Sequence, residues 1–279
     1  MKLSQLSGST LVLGGAICWS LNSPLVKYLT LDPLLICALR SLIAGLFLLP
    51  FLRTKQIRWD GWLFLYSFFY CALCLSVIVS LSMTSAAIAV GMQYTASIWL
   101  FLISWLKTRS FRLRLFLPVL IIMIGVVFFM KSGGSGDSNS TGNLIALSEG
   151  VFFAGMTLTA PKVTKTNALG LTALGNLFTA VLLFAAVPAA RTGLFTLNSL
   201  EWGLMVILGI VQVAGGYGLY NLGITRISAQ KASILALWEM LLGPLWVALF
   251  LALYPSPQVL KGFAIILLGI LLDHRLNAV

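Results

Sequence analysis

Long apolar runs separated by short polar connections fill this chain. They read as ten membrane-spanning helices at residues 9–29, 34–52, 61–80, 87–106, 112–130, 143–162, 168–189, 202–222, 231–252 and 258–275. At about 20 residues per crossing they use roughly 200 residues, leaving about eight per connection and no room for an extramembrane domain. The predicted fold class is therefore an all-α polytopic membrane protein. The first run continues to Leu29 without a clear small-x-small cleavage site, so it is expected to remain as a helix.

The second half repeats the first. Ser85-Ala86-x-x-Ala89 returns as Ser228-Ala229-x-x-Ala232, and Ile121-Ile122-Met123-Ile124-Gly125 returns as Ile265-Ile266-Leu267-Leu268-Gly269. Asp60-x-x-Leu63 matches Glu201-x-x-Leu204, each at the start of the third span of its half. Five spans per half is an odd number, so the halves must cross in opposite senses as two inverted five-helix repeats. The expected boundaries are 1–131 for the first repeat, 132–142 for a flexible external linker, and 143–279 for the second repeat. The linker is low in complexity, running from Lys131-Ser132-Gly133-Gly134 to Thr141-Gly142.

Composition agrees with a bilayer setting: 59% of the 279 residues are hydrophobic and 9% charged, outside the range of soluble domains. The formal charge of +11 could suggest a nucleic-acid partner, but its distribution gives a more ordinary reason. With the N-terminus inside, Lys2, Arg53, Lys55, Arg58, Lys107, Arg109, Arg112, Arg114, Lys162, Lys165, Arg226, Lys231 and Arg275 lie on the inner side. Only Lys27, Lys131, Arg191 and Lys261 lie outside. This bias predicts cytoplasmic termini and no nucleic-acid partner. Cys71-x-x-Cys74 has a redox-like spacing, but no second pair or nearby histidine accompanies it, so it reads as helix packing. His274 is at the C-terminal end beside Asp273 and Arg275. No metal site and no cofactor are expected.

The two five-helix halves, Trp19-Ser20 in span one, Arg40 early in span two, and the Ser-Ala-x-x-Ala motif opening spans four and nine together resemble the drug/metabolite transporter superfamily. More narrowly, the chain resembles a ten-helix EamA-type permease. The resemblance implies a carrier of amino acids or related small metabolites, often an exporter, in the bacterial inner membrane. One departure is visible: members often carry Glu just after spans four and nine, where this chain has Lys107-Thr108-Arg109 and Tyr254-Pro255-Ser256.

A charge at the centre of a membrane helix costs about 2.5–3.5 kcal/mol on insertion scales, so the intramembrane ionisable residues are functional candidates. Glu239 is about 12 Å into span nine, near the midplane. Arg40 is about 10 Å past Pro33 on span two, and Glu149 is shallower on span six. An internal ion pair or a snorkelling side chain is the structural alternative for each. For Glu239 the functional reading is that it either binds a cationic group of the substrate or carries a proton, making protons the candidate coupling ion.

Trp19 and Asn22 on span one, Gln93 and Tyr94 on span four, Gln212, Tyr217 and Tyr220 on span eight, and Trp238 beside Glu239 complete the candidate substrate-binding set. Gln212 and Tyr220 are eight apart and share one side of a regular helix. Helix–helix hydrogen bonding or interface anchoring explains such residues equally well taken singly. Pro24 and Pro161 occupy corresponding positions in spans one and six and are candidate hinges. No P-loop is present. An intramembrane enzyme would need paired acids or a histidine within a span, and neither occurs apart from His274 at the very end of the last one. The leading expectation is a secondary transporter working by alternating access. A flippase for a lipid-linked molecule and a non-transporting sensor or assembly subunit are the alternatives. Oligomeric state is not legible.

Overall fold

The computed structural model describes residues 6–84, 86–131, 139–251 and 256–276, and among these the regular structure is entirely helical. Ten segments follow the predicted spans. Spans two, three, five, six, seven and ten are the continuous helices Pro33–Leu48, Gly61–Met83, Leu113–Lys131, Ser140–Val163, Ala168–Ala186 and Pro257–Leu276. The other four are interrupted: span one is Gly8–Trp19 then Asn22–Tyr28, and span four is Ala86–Gln93 then Ala96–Thr108. Span eight runs Ser199–Ile207, Leu208–Gly215 and Gly216–Ile224, and span nine is Ala229–Ala236 then Trp238–Leu251. Among the described residues, seven segments are long and apolar enough to cross a membrane, and Leu113–Phe128 is a shorter apolar stretch. The protein is thus a polytopic helical membrane protein.

Side-chain caps set many of the starts, because the first amides of a helix lack intrahelical partners. Asp32, Asp60, Asn139 and Asn167 accept from the amides of Leu34, Trp62, Thr141 and Gly170 at the heads of spans two, three, six and seven. Asn198 and Glu201 form a reciprocal capping box at span eight. Ser228 caps span nine through the Lys231 amide at 3.3 Å, while its sequence counterpart Ser85 lies outside the described residues. Span six begins at Ser140, so the helix takes up the last three residues assigned to the linker. Residues 132–138 of that linker, together with Lys2, Tyr254 and Pro255, lie outside the described residues.

The dominant pairings are span five with ten, three with six, two with seven and one with eight. Exchanging the halves maps three–six onto eight–one and leaves two–seven and five–ten unchanged, which is the pattern of a two-fold relation between them. Spans five and ten show this in detail. A Cβ at Gly125 would stand 2.7 Å from Ile266 Cγ1, and one at Gly269 would stand 2.6 Å from Ile122 Cγ1. Small residues let helix backbones approach in lipid, where association depends on close packing. Gly125→Val is expected to lower stability by about 1–3 kcal/mol through overpacking. Gly203→Ala, whose new Cβ meets nothing within 4 Å, should not destabilise. Thermal melting of the purified protein in detergent checks both.

The four interrupted helices meet at the centre of the molecule. In span one the Pro24 nitrogen cannot bond the Ser20 carbonyl and its ring crowds that carbonyl, which accounts for the break at Ser20–Leu21. Pro161, its counterpart, stands inside the last turn of span six, and that helix continues to Val163. Span four tightens over Gly91–Ile98 into three-residue steps, with the Tyr94 amide on Gly91 O and the Ser97 amide on Tyr94 O. Span nine does the same at Leu237, whose amide bonds Ile234 O while the Met240 amide bonds Leu237 O. Residues Leu208–Gly215 of span eight are wound as a wide π-helix. Such segments are uncommon and concentrate at functional sites.

Candidate transport site

Spans four and nine cross at their breaks. Because the Met240 amide is committed to Leu237, the Ala236 carbonyl is released from the helix, and Tyr94 Oη lies 2.8 Å from it. The same hydroxyl lies 2.5 Å from Glu239 Oε2, and Gln93 is a further hydrogen-bonding neighbour of that carboxyl. Tyr94 has one hydrogen for two acceptors. If Glu239 is ionised, that hydrogen belongs to the carboxylate and the Ala236 carbonyl is left unpaired. If Glu239 is protonated, the acid donates to Tyr94 and Tyr94 donates to Ala236. The proton on Glu239 therefore decides how the broken helix is satisfied. One turn along, Ser97 and Ser233 meet at 3.1 Å across the same crossing.

A ring network extends from this point. Tyr94 packs edge-on against Phe153 at 6.4 Å, and Phe153 contacts Tyr220 at 5.2 Å and Trp19 at 5.9 Å. Trp19 lies 4.8 Å from Tyr217, which is 4.8 Å from Tyr70. Tyr220 meets Thr157 at 2.9 Å, and the Asn221 amide donates to Tyr66 and Thr172. All of these rings are buried. Trp238 is only half-buried beside Glu239.

The wide winding at Leu208–Gly215 alters the register of span eight. Gln212 turns to Arg40 on span two, while Tyr220 turns to Thr157 on span six, so residues that share one side of a regular helix serve different neighbours. Arg40 is 1% exposed. Its Nη1 donates to Asn22 Oδ1 at 3.0 Å and to Gln212 Oε1 at 3.3 Å, and its Nη2 donates to the Cys74 carbonyl at 3.2 Å.

Glu149 is fully buried in span six and accepts from Ser80 Oγ at 2.5 Å, while its Oε2 has no partner among the described groups. Ser80→Ala would remove that hydrogen bond, at an expected cost of about 1–3 kcal/mol. A lower melting temperature for Ser80→Ala, absent when Glu149→Gln is the background, would show that the pair acts as a unit.

The arrangement thus brings together Gln93, Tyr94 and Glu239 in one group, Trp19, Tyr217 and Tyr220 in a second, and Asn22, Arg40 and Gln212 in a third. Ser80, Phe153, Thr157 and the Ala236 carbonyl are participants the sequence did not single out. The spacing of Tyr66 and Tyr70, four apart on span three, is a signal that could have found those two rings.

A family model of EamA-like transporters matches residues 6–131 and again residues 140–272. The chain belongs to the EamA-like transporter family. As an EamA-like protein it is a membrane transporter rather than an enzyme by kinship. It is 26% identical over 254 residues to the uncharacterized transporter YwfM of Bacillus subtilis (strain 168), covering 86% of this chain and 83% of that one. A protein of known crystal structure shares the fold, with a TM-score of 0.73 at 17% identity over 97% of each chain.

Proposed function

We propose that this EamA-like chain is a secondary transporter that moves small metabolites, amino acids or related compounds, outward across the bacterial inner membrane by alternating access. Each half, 1–131 and 143–279, acts as one repeat, and the four-helix walls rock about the central cluster. Glu239 carries the coupling proton. The observation that supports this most is the Tyr94 hydroxyl held between Glu239 and the Ala236 carbonyl, because it ties a proton to the conformation of two broken helices. Broken helices at a central site are the usual construction of carriers.

The orientation rests on charge. The Arg58 amide bonds Val163 O, Asn167 bonds Arg53 O, Arg226 bonds Leu6 O and Gln230 bonds Leu115 O, so the basic connections gather at one end. That end faces the cytoplasm with both termini by the positive-inside rule. A groove of about 490 Å³ between spans three and seven, lined by Leu63, Phe64, Leu174 and Phe178 among others, opens on an apolar flank. None of Arg40, Tyr94, Gln212 or Glu239 lines it, so it is separate from the central cluster.

The test is flux in proteoliposomes with a mixed panel of labelled amino acids and small metabolites, with and without an imposed proton gradient. Saturable, gradient-dependent movement of one compound class supports the reading. Movement of none of them in folded protein, with a lipid-linked compound added to the same panel moving instead or not, overturns it.

A further inference from the structure

Arg40 presents a charge that the protein leaves uncompensated. Both ordinary explanations for a membrane arginine are removed by the geometry. The side chain is 1% exposed, so it does not snorkel to an interface. Among the described residues no carboxylate stands within 4 Å of the guanidinium, whose hydrogen-bond partners are all neutral. A buried ion left without an opposite charge is costly, and the guanidinium cannot escape by losing its proton.

The hydrogen-bond inventory is incomplete in a directional way. A guanidinium has five N–H donors. Three point at neutral oxygens, those of Asn22, Gln212 and the Cys74 carbonyl. Of the two that remain, the Nε hydrogen is buried with no protein acceptor, and the Cys37 thiol is a further neighbour of the guanidinium. Nε and Nη2 form the side-on edge that grips the two oxygens of a carboxylate. Three residues before Asn22, Trp19 Nε1 is a second buried donor without an acceptor. Donors are in surplus here, and what they lack is an anionic acceptor.

Resting on the carrier reading above, we infer that Arg40 is the anion-binding residue of the transport site and that the cargo is a small molecule bearing a carboxylate, taken side-on by Nε and Nη2. Asn22 and Gln212 position the guanidinium. Both stand on interrupted elements, Asn22 just past the break in span one and Gln212 inside the π-helical turn, so movement of either helix re-aims the arginine. Arg40 is closed off in the present conformation, so the carboxylate reaches it only after such a movement.

The test varies the ligand before the protein. Alanine, leucine and phenylalanine are each supplied as free acid, as amide and as decarboxylated amine to wild-type proteoliposomes, with inorganic phosphate as a competing anion. The expected result is that free acids move and that their amides and amines move about 100-fold less well, because the buried guanidinium would be left without its partner charge. Phosphate should compete weakly. Arg40→Lys, which keeps the charge but loses the side-on pair, should narrow the acid-to-amide ratio to about tenfold, and Arg40→Gln should abolish it. If wild type moves amides or amines as well as acids, Arg40 is a structural residue and the carrier reading survives. If phosphate displaces every acid, the site is a phosphate site and the carboxylate assignment falls. If nothing in the panel moves, both readings fall. The wild-type comparison decides the matter even if Arg40→Gln does not fold.

Discussion

Glu239→Gln is expected to make transport insensitive to a proton gradient and to slow substrate movement by about tenfold or more. Glutamine keeps the size and much of the hydrogen bonding of the protonated acid, so the helix crossing should remain folded. It cannot exchange a proton, and the choice between the two directions of the Tyr94 hydroxyl disappears. Tyr94→Phe probes the same device from the other side. It preserves the edge contact with Phe153 but leaves both Glu239 Oε2 and the Ala236 carbonyl short of a donor. A hydrogen bond to a charged group contributes about 1.5–3 kcal/mol, which corresponds to roughly 10–100-fold in an equilibrium. Initial rates of uptake measured between acid and alkaline pH separate the two variants. Glu239→Gln should give a flat profile, and Tyr94→Phe should give a displaced one. A Glu239→Gln protein whose rate still follows pH would remove this residue from the coupling step.

Trp19→Ala should cause the largest loss of stability, about 3–5 kcal/mol, the range for removing a large buried aromatic side chain. The indole is 3% exposed and touches Phe153, Tyr217 and Tyr220 on two other spans, so its removal opens space that three rings line. Its neighbour Gly216 packs directly beneath the indole, which keeps spans one and eight in close contact. Trp19→Phe should recover most of the packing while losing the Nε1 donor. Melting in detergent is therefore expected to order the proteins as wild type, Trp19→Phe, Trp19→Ala. Equal melting of all three would mean that the ring network is not a source of cohesion.

The spans were legible because lipid imposes one requirement on every crossing: a run of apolar side chains long enough for the core. Their number and most of their ends follow from that rule and from the caps. Pro24 marks the break in span one covalently, whereas Pro161, the same signal in span six, stands in an unbroken helix. The breaks at Tyr94–Thr95 and Leu237 were not legible, because none of these three residues is a helix breaker. They are held by contacts between halves, Tyr94 reaching Ala236 across 142 positions of sequence. The same is true of Arg40, whose acceptors lie 18, 34 and 172 positions away. Hydropathy identifies a costly charge but says nothing of which groups surround it. The π-helical turn lies between the two, since Gly209 and Gly215 within it and Gly216 just after it suggest close approach without specifying a change of winding.

The central claim is that the Glu239 proton is gained and lost as part of the transport cycle. Infrared difference spectroscopy of the reconstituted protein reads it most directly, by following the carbonyl stretch of the protonated acid when a transported compound is added. The account predicts a substrate-dependent change in that band which is absent in Glu239→Gln and shifted in Tyr94→Phe. A band that is identical with and without substrate, in protein that transports, would contradict it.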